Sequence, residues 1–146
     1  MIGLVQRVSQ AQVTVAGQVV GQIGAGLLLL VCAEPADTEL QAEKLIDKLL
    51  KLRIFADAAG KMNRSLVDIA CGLLVVSQFT LAADVSSGNR PGFSGAAGPE
   101  QGQRLYEQLL RLARARHPDV AAGIFGAHMQ VALVNDGPVT IPVRVL

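Results

Sequence analysis

Apolar and polar residues alternate at the start of the chain. Ile2 and Leu4 open a first strand that runs through Val8, and Val13 and Val15 then alternate with polar neighbours. Ala16-Gly17 offers a turn and Val19-Val20 continue past it, the pattern of a hairpin. Leu27 to Cys32 is apolar without a break, which predicts a strand covered on both faces. The period then changes. Leu45, Ile46, Leu49, Leu50 and Leu52 recur at helical spacing behind Thr38-Glu39-Leu40-Gln41, which has the form of a capping box, so a helix of about four turns is predicted. Arg53-Ile54-Phe55 leads into a turn-rich stretch, Asp57 to Lys61. Residues 73–81 read as a further apolar strand, and residues 84–98, rich in Gly and Ser, as a long loop of the kind that is usually functional or mobile. A second helix starts near Pro99 and stops before His117-Pro118, with Leu105, Leu109 and Leu112 as its apolar stripe. Two last strands, near 128–134 and 139–145, flank Asn135-Asp136-Gly137-Pro138. Strands outnumber helices and mostly follow one another directly. The expected fold class is therefore α+β: a single domain over residues 1–146 with mostly antiparallel β-sheets and two main helices.

Composition narrows the partners. The chain has 146 residues, 51% hydrophobic and 17% charged, a globular balance that buries about two-thirds of its unfolded surface. Its net charge of +1 leaves no whole-molecule attraction for nucleic acid, so any RNA contact must come from a local basic surface. With no Trp, one Tyr and four Phe, a single-strand binder built on stacking platforms is disfavoured. The longest apolar run, Leu27 to Ala33, is too short to span a bilayer, and the first residues lack the basic start and cleavage site of a signal peptide; a cytoplasmic protein is expected. Cys32 and Cys71 lie in or beside apolar sequence and read as buried, reduced thiols. His117 and His128 are the only histidines and no Cys/His cluster has zinc spacing, so no metal or other cofactor is expected.

Three segments could carry chemistry. Ser77-Gln78-Phe79-Thr80-Leu81 puts polar groups at the end of an apolar strand, either a strand fraying into a loop or a site at a sheet edge. Asn135-Asp136-Gly137-Pro138-Val139-Thr140 reads locally as a hairpin turn. Alternatively, a cis Gly-Pro bond would turn two carbonyls to one side as rigid acceptors for an ammonium group or a Cα–H. Gly88 to Gly95 is either a plain flexible loop or a backbone that approaches a ligand, with Arg90 able to meet phosphate. Arg104, Arg111 and Arg114, with Glu107 between them, form one helix face, solvated or in contact with an RNA backbone.

The first two segments, in this order, resemble the two signature motifs of the D-aminoacyl-tRNA deacylase family. The likeness extends over nearly the whole chain: Val5-Gln6-Arg7-Val8-Ser9, Leu52-Arg53-Ile54-Phe55, Gly60-Lys61-Met62-Asn63, Arg90-Pro91 with Phe93-Ser94-Gly95, and Met129-Gln130-Val131 follow in family order. The resemblance implies a homodimer with two composite active sites acting on the 3′ end of aminoacylated tRNA, with no cofactor. Ser77, Gln78, Phe79 and Thr80 would form the catalytic pocket, Gly137-Pro138 of the partner subunit would be a chiral filter, and Arg7 would support that crossing motif. Met129 and Phe125 resemble positions near the pocket. The family usually has Arg where Ile124 stands and Asp where His128 stands, departures that leave both signatures intact.

The activity so implied is proofreading in translation: hydrolysis of the ester of D-aminoacyl-tRNA, and of glycine mischarged on tRNA(Ala). Ester hydrolysis passes through a tetrahedral oxyanion that backbone N–H groups near Phe79 and Thr80 could stabilise. A nucleophilic Thr80 would need an adjacent base, and the motif contains no His, Lys or carboxylate. A small-substrate threonine hydrolase and a non-catalytic dimeric RNA-binding module are the competing classes.

Overall fold

The computed structural model describes residues 1–146. In chain order it contains β1 (Ile2–Val15), β2 (Gln18–Ile23), β3 (Gly26–Cys32), α1 (Glu39–Lys51), β4 (Phe55–Ala56) and β5 (Met62–Arg64). These are followed by α2 (Leu66–Ile69), β6 (Gly72–Ser77), a 3-10 turn (Phe79–Ala82), α3 (Pro99–Arg116), β7 (Val120–Ala122) and β8 (Gln130–Arg144).

The predicted hairpin is β1–β2. Its Ala16-Gly17 turn has φ of 49° and 77°, the positive pair that two-residue hairpins with matching twist require. The predicted capping box is present at the start of α1: the Thr38 hydroxyl accepts from the Leu40 N–H and the Gln41 side chain accepts from the Thr38 N–H. Pro99 occupies the first turn of α3, where its missing N–H costs nothing. Leu45, Ile46 and Leu49 of α1 and Leu105, Leu109 and Ala113 of α3 pack with Leu27, Leu29, Leu73 and Val75 in the larger core. The alternate residues Leu28, Leu74 and Val76 face a smaller core with Val8, Ala11, Val13 and Ile23. Leu27 to Leu29 are wholly buried, so β3 is covered on both sides as its unbroken apolar run requires.

The main sheet runs β2-β1-β3-β6-β7, with β8 also paired to β1. It rolls around the smaller core until β2 meets β7: a Cβ on Gly21 would collide with the Ala122 carbonyl oxygen. In three respects the architecture differs from the sequence expectation. β1 is antiparallel to β2, β3 and β8, but β3–β6 and β6–β7 are parallel, so the sheet is mixed. The physical reason is that α1 lies on the path from β3 to β6, and α3 on the path from β6 to β7. A chain that crosses over through a helix returns in the same direction. A third, single-turn helix, α2, starts at its own capping box, Ser65 with Asp68. Thirdly, 128–134 and 139–145 are not the arms of a hairpin. Both halves pair with β1 in one antiparallel sense, so Asp136 to Val139 form a bulge within a single strand. β8 pairs only with β1, so its other side is an unpaired sheet edge.

Both cysteines are free thiols; Cys32 is buried and Cys71 half-buried. His117 ends α3 as a buried side chain whose Nε2 lies 2.5 Å from the Cys71 carbonyl oxygen.

Candidate active site

Strands β3 and β6 are parallel, with Val31 opposite Ser77, so their C-terminal ends open at the same edge of the sheet, where ligands of parallel sheets gather. The Gln78 N–H still donates to the Val31 carbonyl, at 2.8 Å. The chain then leaves the ladder and winds into the 3-10 turn, closed by Leu81 N–H to Gln78 O and Ala83 N–H to Thr80 O. The strand predicted over 73–81 therefore stops at Ser77, and the two-residue alternation of side chains does not continue through Thr80. Opening a 3-10 turn leaves its first N–H groups without intrahelical acceptors. The N–H groups of Phe79 and Thr80 are such donors, and no side chain caps the turn.

Beside this turn lies a cleft of about 660 Å³. Ser77, Gln78 and Phe79 form one wall, the first turns of α3 with Gly102 and Tyr106 a second, and Phe125, Gly126, Ala127 and Met129 a third. Of the residues expected at the site, Ser77, Gln78, Phe79, Phe125 and Met129 line this one cleft. Thr80 is exposed on the turn outside the cleft lining, and its Oγ1 accepts from Gln78 Nε2 at 2.5 Å. Phe79 packs edge-to-face on Phe93, ring centroids 5.1 Å apart. The loop carrying Phe93 is pinned rather than free: Asp84 and Gly92 exchange backbone bonds, and the Ala97 N–H reaches the Ala33 carbonyl at 2.8 Å.

Among the lining residues that the sequence reading missed are Tyr106 and Cys32. Tyr106 donates from its hydroxyl to the Val75 carbonyl at 3.0 Å, and burial pushes its pKa up to about 12, so it stays a neutral donor. Cys32 lies 3.5 Å from the Phe79 carbonyl oxygen, and burial together with the nearby Glu34 charge pushes its thiol up. Once β3 and β6 are known to be parallel, Cys32 at the end of β3 is an obvious cleft residue; the apolar run alone does not say so.

Arg7, Gly137 and Pro138 lie elsewhere. Arg7 has no residue opposite it on β8, and Asp136 to Val139 loop out at that level. Its Nε donates to the Asp136 carbonyl at 3.2 Å and lies 3.1 Å from the Asp136 carboxylate, while Nη1 donates to the Ile54 carbonyl at 2.6 Å. Gly137 and Pro138 are exposed, and the bond between them is cis. Three strand spacings and about four residues of register separate them from Ser77, on the order of 20 Å. The tip of this bulge therefore does not reach the cleft of its own chain.

Residues 4–144 match the family model described as D-Tyr-tRNA(Tyr) deacylase. The chain belongs to the D-Tyr-tRNA(Tyr) deacylase family. Among its relatives in that family is the D-aminoacyl-tRNA deacylase of Aromatoleum aromaticum, 65% identical over 146 residues, covering 100% of this chain and 96% of the relative. That of Methylibium petroleiphilum is 68% identical over 145 residues, covering 99% and 95%. The solved structure of a c-Myc DNA unwinding element binding protein superposes with TM-score 0.95 at 40% identity, covering 100% of this chain and 99% of that one. A probable eukaryotic D-amino acid tRNA deacylase superposes with TM-score 0.81 at 17% identity, covering 97% and 98%; it shares the fold. No group of three or more His, Cys, Asp or Glu side chains is gathered as a metal site, and no helix is long and apolar enough to cross a membrane.

Proposed function

We propose that the protein hydrolyses the ester joining a D-amino acid to the 3′-terminal ribose of tRNA, releasing both, and that it spares L-aminoacyl-tRNA. The observation that carries this reading is the pair of N–H donors of Phe79 and Thr80 that open the turn flanking the cleft. Donors of this kind stabilise the oxyanion of an ester's tetrahedral intermediate, and losing one commonly costs about 10²–10³ in rate. Ser77 and Gln78 hold the substrate on the same wall, with Phe125 and Met129 opposite. Thr80 Oγ1 is bonded to the Gln78 amide, a donor and not a base, which favours a water nucleophile over an acyl-threonine intermediate. The ribose 2′-hydroxyl beside the ester assists that water.

Selectivity arises by exclusion. Gly137 and Pro138 of a second copy enter the cleft as a main-chain wedge, so the α-substituents of the amino acid have one direction left for a side chain. A D-side chain takes it and an L-side chain meets the wedge. Glycine has none and passes, which makes glycyl-tRNA(Ala) a second substrate. The homodimer is supported by the unpaired edge of β8, a feature that isolated chains seldom leave long and open, and by the exposed bulge that lies too far from its own cleft. The test compares deacylation of D-tyrosyl-, L-tyrosyl- and glycyl-tRNA by the purified protein. D-tyrosyl- and glycyl-tRNA are consumed and the L-ester is spared; equal consumption of both enantiomers would sink the filter. Turnover of free D-amino-acid esters with no gain from tRNA would favour a small-substrate hydrolase instead.

A further inference from the structure

The bulge of β8 is an unusual load on a sheet edge. Four residues, Asp136 to Val139, stand where β1 offers only Arg7, between the pairs Val8–Asn135 and Gln6–Thr140. A bulge of this size forfeits ladder hydrogen bonds, and an unbraced excursion of a surface strand moves freely. Two side chains replace the lost ladder. Arg7 grips the near shoulder at Asp136. Asn135 spans the base: its Nδ2 donates to the Arg7 carbonyl at 2.9 Å and to the Val139 carbonyl at 3.1 Å. Both amide hydrogens are spent, one on each strand, so the single side chain sets the width of the bulge where it leaves β1 and where it returns. On the return side Val139 is buried in the core, which makes that shoulder a fixed point. The Asn135 Oδ1 is aimed at the tip: a Cβ on Gly137 would lie 2.8 Å from it. Only glycine at 137 leaves the clamp undisturbed.

We propose that Asn135 is a positioning residue for stereochemical discrimination, holding the Gly137-Pro138 tip at a fixed height and tilt. This rests on the reading of that tip as the chiral filter. A filter that works by exclusion depends on stiffness more than on attraction, since a wedge able to yield by an ångström admits the wrong enantiomer. Discrimination is therefore the quantity that losing the clamp degrades most.

The experiment measures kcat/KM on D-tyrosyl-tRNA and L-tyrosyl-tRNA, with thermal unfolding, for the full-length protein and for Asn135→Asp and Asn135→Ala. Aspartate keeps the size and removes both donors. The expected result is a D-to-L ratio lowered about ten- to thirty-fold in both variants, the scale of two lost hydrogen bonds, with a melting temperature lowered by about 3–8 °C and the protein still folded. An unchanged ratio in a folded variant overturns the proposal. So does a loss that falls equally on both enantiomers and tracks the melting temperature, because that is what a purely structural asparagine would give. Should neither variant fold, Gly137→Ala decides: it keeps the amide but drives a methyl into Oδ1, and an unaltered ratio there is equally fatal. Failure of the parent protein to discriminate at all would instead refute the filter itself, a distinct outcome.

Discussion

Replacing Gly102 by alanine and by leucine separates the stability of α3 from the occupancy of the cleft. Gly102 lies inside α3, its N–H bonded to the Gly98 carbonyl at 2.8 Å, and it lines the cleft opposite Phe125. An added Cβ would meet Phe125 Cζ at 3.6 Å, Cε2 at 3.8 Å and the Ala97 carbonyl at 3.9 Å, all ordinary van der Waals distances. Alanine therefore fits, and it removes the entropy penalty of a helical glycine, a gain of about 0.5–1 kcal/mol. For a chain of this size that raises the melting temperature by about 1–4 °C. Leucine carries three further carbons from the same Cβ. With Phe125 already in contact, they must enter the cleft or displace the ring, and overpacking of this kind costs about 1–3 kcal/mol. The assay pairs thermal unfolding with steady-state deacylation of D-tyrosyl-tRNA. Alanine should be at least as stable as the parent and active; leucine should fold but lose kcat/KM, about tenfold for each 1.4 kcal/mol of binding removed. A wild-type kcat/KM in Gly102→Leu would refute the assignment of the cleft to the substrate. A lowered melting temperature in Gly102→Ala would show that the space facing Phe125 is not as described.

Three other outcomes follow from the geometry. Thr80→Ala retains most of the deacylase activity, because Oγ1 is held by an amide and not by a base; a covalent acyl-Thr80 species trapped by mass spectrometry would reverse that assignment. Asp37→Ala is destabilising, on the order of 1–3 kcal/mol by urea unfolding: buried Asp37 accepts from the Met1 ammonium at 2.8 Å and from the Glu34 N–H at 2.7 Å, and without it the ammonium keeps only the Glu34 carboxylate at 3.1 Å and the Val145 carbonyl at 2.9 Å. Burial pushes the Glu34 carboxyl up, but hydrogen bonds from Arg144 and the Met1 ammonium outweigh it and hold it below its ordinary value. A depressed carboxyl stabilises the fold above its unfolded pKa of about 4.3 and loses that contribution as pH falls through the folded value. Unfolding at pH 7 and at about pH 3.5 should show a smaller acid-induced loss in Glu34→Gln than in the parent; equal losses would exclude Glu34 as a source of the acid sensitivity.

Where local rules suffice, the chain was legible. The 3.6-residue recurrence of leucines and the Thr38 box located α1, Pro99 located the start of α3, and Ala16-Gly17 located the first hairpin. The two segments that resemble the family signatures also stand in the sequence without help from the fold. Each of these features depends on neighbours a few residues apart, so the information lies within the segment itself.

What the tertiary structure alone decided depends on which strands meet. No periodicity tells whether β3 and β6 run parallel, yet that pairing carries Cys32, Ser77 and Gln78 to one edge and creates the cleft. Asn135-Asp136-Gly137-Pro138 has the local chemistry of a hairpin turn. It is a bulge because β1 is long enough to pair with the chain on both sides of it, and Asn135 and Arg7 close its base through contacts 128 and 129 residues apart in sequence. Likewise Ser77-Gln78-Phe79-Thr80 looks like strand until Val31 offers its last carbonyl to Gln78. Beyond that point no partner strand remains, so the backbone turns on itself and leaves the Phe79 and Thr80 donors without intrahelical acceptors. Local sequence sets what a segment can become; the supply of partners across the sheet chooses among those states.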